Sequence, residues 1–248
     1  MKFNKIIQFI LFLVAFVGAI YHLLLVIYNF TPLYTYFRIG ILTLEQLQKG
    51  THVLFILFIG YLMTYLKGYA VEKRSIRWYL ILLVSILAFI PTYDVALKLL
   101  VDVALSLLIF VVWFFTIVVP LVRPLLNIPK IALVEIFSAF FSFVPYTYLL
   151  INFESFVARA TSPTPSDVFM GWATVLLVMG VVIRLIGPEM PLLVLIFMLY
   201  CIYGYIFPKP WTHPGFDVDF LMSKLFVEPE AALFGTITHV SLRYIVYF

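Results

Sequence analysis

Residues 5–28, KIIQFILFLVAFVGAIYHLLLVIY, decide how the rest of the chain is read. No charged side chain stands between Ile6 and Tyr28. As a helix this run is roughly 34 Å long, enough to cross a hydrocarbon layer of about 30 Å. Inside that layer each backbone N–H and C=O needs a partner within the protein, so a single apolar run of this length is helical. Met1–Ala19 has the outline of a signal peptide: Lys2 and Lys5, an apolar stretch, then Ala15 and Ala19. The apolar run continues through Ile27, too far for a cleaved segment, and the expectation is an uncleaved first span.

The same pattern recurs along all 248 residues, of which 65% are hydrophobic and 11% charged. Mean hydropathy is +1.13. A soluble domain, about 25% charged, clothes its core with solvated side chains that this composition cannot supply. The apolar residues form continuous runs rather than the alternating ten-residue segments of a membrane β-barrel. The expected fold is therefore all-α and polytopic, with about eight spans. These lie near 5–28, 50–66, 77–92, 97–119, 131–151, 168–186, 190–207 and 232–248. A tight turn at Pro91, Thr92 and Tyr93 is expected between the third and fourth, and a proline-rich break (Pro120, Pro124, Pro129) before the fifth. Residues 216–227 read as a short interfacial helix, with Phe216, Phe220, Leu221, Leu225 and Phe226 beside Asp217, Asp219 and Lys224.

Basic residues set the orientation. Lys2, Lys5, Lys67, Lys73, Arg74, Arg77, Arg123, Lys130 and Arg184 fall on the side of the N-terminus; Arg38, Lys49, Lys98, Arg159, Lys209 and Lys224 fall on the other. That bias predicts a cytoplasmic N-terminus and a multi-pass protein of the cell (inner) membrane. It makes the net charge of +4 a matter of topology in the lipid bilayer, not of nucleic-acid binding. The single cysteine, Cys201, excludes an intrachain disulfide and a Cys-based metal site.

Charges within spans call for a functional reading. Glu135 sits near the inner end of the fifth span, where it snorkels or meets Lys130. Asp102 lies four residues after Lys98 and suggests a local ion pair. Arg184 reads as an anchor at the cytoplasmic end of the sixth span. Arg243 lies deep in the last run, either paired with another helix or chain, lining an aqueous path, or interfacial if that span ends early. His22 and His52 come to similar depth on adjacent antiparallel spans. Two neutral imidazoles so placed could ligate a b-type haem, or simply bond to water and backbone. His239 has no obvious partner. Gly171, Gly180 and Pro145 read as packing and kink residues. No clustered nucleophile, base and acid, no phosphate-binding glycine loop and no metal-ligand spacing occurs, so an enzyme is not expected.

One stretch is more specific. From Arg159 the chain runs RATSPTPSDVFMG, with Arg159, Ala160, Pro163, Thr164, Asp167 and Gly171; an apolar helix then ends at Arg184 and Gly187. Pro191, Phe197, Tyr200 and Gly204 follow, then Pro208, His213 and Gly215, and finally Phe234, Gly235, Val240 and Ser241. This order resembles the permease of tripartite ATP-independent periplasmic (TRAP) transporters, in the fused form paired with TAXI-type binding proteins. The run KGTHVLFILFIGYL, residues 49–62, is similar to that family's second span. The resemblance covers the last 90 or so residues well and the first 150 by topology alone. It implies two parts: residues 1–157, N-terminal scaffold helices, and residues 158–248, permease-like helices with an outer loop, ending where a transport domain opens. It further implies a scaffold role in ion-gradient-driven uptake of a small organic solute, a carboxylate by preference. The partners would be a large TRAP permease subunit, supplying the transport half unless that half is missing, and a periplasmic solute-binding protein. The coupling ion, sodium or proton, is expected at the partner chain, and this chain is expected to hold no cofactor. Arg159, Asp167, Arg184, Tyr200, Gly204, His213, Gly215 and Arg243 are the candidate docking or transport-related residues; the alternative reading is a haem- or quinone-binding membrane anchor, with His22 and His52 as the haem ligands.

Overall fold

A computed structural model describes residues 2–31, 45–67, 75–125, 132–158, 162–227 and 236–242. Every regular element among these residues is helical, and seven helices are long and apolar enough to cross a membrane. The protein is an all-α, multi-pass membrane protein. The helices are α1 (Lys2–Phe30), α2 (Glu45–Lys67) and α3 (Ile76–Lys98). Then comes α4, which starts as Val103–Trp113, passes through a π-helical turn at Phe114–Val118 and ends as Val119–Leu125. The fifth crossing is made by α5 (Ala132–Phe141) and α6 (Phe143–Ala158), followed by α7 (Pro165–Leu185), α8 (Glu189–Tyr203), α9 (Val218–Val227) and the short α10 (Thr236–Val240). Most of the expected eighth span, 232–248, lies outside the described residues.

Contacts fix how the helices run. Asn4 meets Tyr65, Gly18 meets Phe55 and His22 meets His52, so α1 and α2 are antiparallel. Tyr61, one turn before Tyr65, packs on Gly180 of α7, which brings the end of α7 to the end of the bundle that carries the N-terminus. That end is called the near end below and its opposite the far end. In α7, 78% of the apolar stretch is buried, against 17% in α1. Thus α7 is the axis, contacting α2, α3, α4, α6, α8 and α9, while α1 lies outside, seated on α2. Lipid tails are as apolar as leucine, so close packing rather than water exclusion holds such helices together. Gly171 supplies it for α9: a Cβ there would stand 2.2 Å from the Met222 carbonyl oxygen.

Three expectations are corrected. Pro91, Thr92 and Tyr93 lie inside α3 and form no turn. A span ending at Pro91 would be too short for the bilayer. The helix passes the proline with Thr92 Oγ1–H bonding to Ala88 O at 2.7 Å and accepting Trp172 Nε1–H at 2.9 Å. The chain turns instead at Leu99–Asp102. There Asp102 caps α4, accepting from the Ala104 and Leu105 amides at 3.1 and 3.2 Å; Lys98 turns away to Asp219 at 3.8 Å. In α9 the buried stripe is Val218, Met222 and Phe226, while Phe216 and Phe220 stack on each other in the open. A helix packed on α7 buries the residues facing α7, whichever are the largest.

Candidate functional site

The described residues hold three polar assemblies, and the candidate residues divide among them. Arg159 and Arg243 lie outside the described residues.

The first is a knot at the far end, closing the loop between α8 and α9. Its centre is His213. Its Nε2–H donates to Tyr200 O at 2.9 Å, because a carbonyl can only accept; Nδ1 is then free to accept the Gly215 amide at 3.0 Å. The His213 ring meets the Tyr200 ring edge-on at 4.7 Å, and Tyr200 Oη donates to Trp211 O at 2.6 Å. Gly204 lies directly beneath: a Cβ there would stand 2.0 Å from His213 Nε2. Gly215 has φ +81°, a conformation that disfavours any side chain. The structure thus brings Tyr200, Gly204, His213 and Gly215 into one unit, each with a steric or hydrogen-bonding reason for its residue type. Asp167 acts close by. It is the third residue of α7 and completes a capping box: Oδ2 accepts the Thr164 amide at 2.8 Å, and Thr164 Oγ1 accepts the Asp167 amide at 3.4 Å. Its Oδ1 accepts Tyr148 Oη–H at 2.5 Å, tying α6 to the start of α7. With Asp167 only 1% exposed, every oxygen contact is internal.

The second assembly is a charge centre at the near end. Arg184 is no surface anchor: it is 7% exposed and reaches inward. Its Nη1 donates to Thr116 O at 2.6 Å and to Gly180 O at 2.8 Å, and Nη2 to Phe115 O at 3.2 Å. Phe115 and Thr116 belong to the π-helical turn, which leaves carbonyls turned out of the regular ladder. Glu135, at the start of α5, brings its carboxylate to 3.9 Å from Arg184 Nε, and the Tyr61 ring faces the guanidinium at 5.5 Å. The expected pairing of Glu135 with Lys130 concerns a residue outside the description; Glu135 meets Arg184. Both residues fall at the same end of neighbouring spans, a depth that is legible in sequence; that they meet is set by packing.

The third assembly is a polar seam at the far end, along one face of α2. Glu45, Lys49 and His52 are spaced by four and three residues and so share that face. Glu45 bonds Lys49 at 2.9 Å and His239 of α10 at 2.5 Å. The Lys49 ammonium holds the Glu45 carboxyl below its ordinary range; burial opposes this, and His239 adds to it. Two turns deeper, His52 Nε2 lies 3.0 Å from Ser241 Oγ and His52 Nδ1 lies 2.8 Å from His22 Nε2. Two imidazoles on either side of a metal ion hold their nitrogens roughly 4 Å apart, twice a metal–imidazole bond. Here the rings bond each other directly. Sequence reasoning left His239 without a partner because Glu45 is far away along the chain.

Comparison with protein-family models, with curated proteins and with solved structures gives no significant match.

Proposed function

We propose that this chain is a membrane scaffold subunit of a TRAP-type, ion-gradient-driven secondary transporter that takes up a small organic solute, a carboxylate by preference. The working partners are a large permease subunit, which moves the solute, and a periplasmic binding protein, which delivers it across the far face. The observation that carries the reading is the far-end knot. Four residues singled out by their order along the chain, Tyr200, Gly204, His213 and Gly215, meet around one imidazole. A match of residue order made by chance has no reason to converge on one hydrogen-bonded unit.

The rest of the molecule suits a scaffold. A capped, deeply buried α7 and an Arg184 guanidinium bonded to three carbonyls of α4 and α7 give a stiff frame. The loop on the knot offers Trp211, Phe207 and Phe216, which are exposed, as contact surface. The test is purification of the tagged chain from its native membrane in mild detergent, with mass spectrometry of what accompanies it. A large polytopic permease in fixed ratio supports the proposal. The chain alone, without permease or binding protein, removes it.

A further inference from the structure

We propose that His22 and His52, joined end to end and closed by Ser241, form a binding site for one exchangeable proton within the far half of the membrane. The site does not depend on the transport reading.

His22 Nδ1 lies 2.6 Å from Gly18 O, which can only accept, so this nitrogen always carries its hydrogen. In neutral His22 the other nitrogen, Nε2, then has a lone pair. His52 Nδ1, 2.8 Å away, must therefore be the donor, leaving His52 Nε2 to accept the Ser241 hydroxyl at 3.0 Å. One chain of donors runs Ser241 to His52 to His22 to Gly18, with every ring nitrogen used.

Now add a proton at His52 Nε2. The hydrogen on His52 Nδ1 passes to His22 Nε2, and His22 becomes an imidazolium bonded to Gly18 O and to His52 Nδ1. His52 is again neutral, with its hydrogen on Nε2, and it donates to the Ser241 oxygen, which changes from donor to acceptor. One proton has entered, no heavy atom has moved, and every hydrogen bond survives, the His22–His52 and His52–Ser241 bonds with donor and acceptor exchanged and the bond to Gly18 O unchanged. A second proton has no such place. It would set two N–H groups against each other across 2.8 Å, and the pair would have to separate. The capacity of the closed site is therefore one.

The surroundings fit a site that exchanges its proton. His52 is 5% exposed and His22 is half-buried. The same face of α2 leads about 10 Å outward to Glu45, whose side chain is 42% exposed and paired with His239. Among the described residues, titratable or charged groups lie on the elements around the pair. Tyr21 on α1 sits edge-on to His22 at 5.3 Å, Lys49 and Glu45 lie on α2, Tyr146 on α6 is bonded to Thr51, and His239 is on α10. Lys49 opposes the added charge and Glu45 offsets Lys49. Histidine and carboxylate chains inside spans are a recurring means of moving protons across membranes.

The test is nitrogen-15 NMR of histidine-labelled, full-length protein in lipid nanodiscs from pH 4 to 9. It would be run on wild type and on His22→Gln, His52→Gln and Ser241→Ala. The expected result is a shared uptake of one proton: the ring nitrogens of His22 and His52 shift together at one midpoint. Glutamine at either position should move the remaining histidine's midpoint by about one pH unit or more, the mark of coupled sites. Ser241→Ala should keep the one-proton uptake with an altered midpoint. The proposal is overturned if the two histidines titrate independently to full protonation, or if neither takes up a proton in this range. The wild-type spectra alone distinguish these outcomes, even if a glutamine variant does not fold.

Discussion

The near-end charge centre gives the sharpest forecast. Arg184→Met removes a buried cation bonded to three carbonyls and leaves Glu135 facing an apolar side chain at a site where both partners are nearly inaccessible. At 3.9 Å and an effective dielectric near 20, the gross attraction of the pair is about 4 kcal/mol, before the cost of withdrawing both charges from water. Removing one partner of a buried pair costs about 3–5 kcal/mol, because the other charge stays behind. Glu135→Gln is milder, about 1–2 kcal/mol, since the guanidinium keeps its carbonyl bonds and hydrogen bonds within membranes are modest. The double variant should be more stable than the sum of the single losses predicts, by about 1–3 kcal/mol, because the second substitution removes the charge that the first orphaned. The assay is reversible unfolding by SDS in mixed micelles, followed by tryptophan fluorescence and circular dichroism. Losses that add to within about 0.5 kcal/mol would show that the two side chains do not interact, and the account of this centre would fail.

Three further outcomes are expected. Gly171→Ala places a methyl group 2.2 Å from the Met222 carbonyl oxygen and should push α9 off α7, at a cost of about 1–3 kcal/mol; a variant that melts with the wild type would mean that the helices do not touch there. His213→Ala deprives the Gly215 amide and the Tyr200 carbonyl of their partners, a loss of about 1–3 kcal/mol confined to the loop. It should speed chymotrypsin cleavage after exposed Trp211, and an unchanged rate would count against the knot. Glu45 has its carboxyl held low by Lys49, so its contribution is present above its ordinary value near 4.5 and is lost as pH falls through its lower value in the folded protein. Its side chain is 42% exposed and screened, so the contribution is at most about 0.5 kcal/mol. Glu45→Gln should therefore be slightly less stable than wild type at pH 7, with the gap narrowing as the pH falls below about 4.5. A gap that does not narrow as the pH falls below about 4.5 would show that the pair with Lys49 is not its source.

Much of this molecule was legible before any coordinates. The apolar runs, the near absence of charge within them and the need to satisfy every backbone group in hydrocarbon determined an all-helical, multi-pass fold. The packing roles of Gly171 and Gly180 followed from their size, and the depths of His22 and His52 from antiparallel neighbours; the two rings do meet. Boundaries at prolines were misread, because the turn signals learned from soluble chains lose force where a break in the helix would expose backbone to lipid. Pro91 is carried through α3 for that reason.

Tertiary structure alone decided the partners. Arg184 looked like an interfacial anchor because sequence gives its depth but not its direction, and only packing on the π-helical turn of α4 turns it inward to carbonyls and Glu135. His239 and Glu45 are 194 residues apart along the chain, and no local periodicity joins them. A hydrophobic pattern records which residues leave water, since each is transferred independently of the others. A hydrogen bond or an ion pair depends on two groups meeting at a given distance and angle, and only the folded chain sets that.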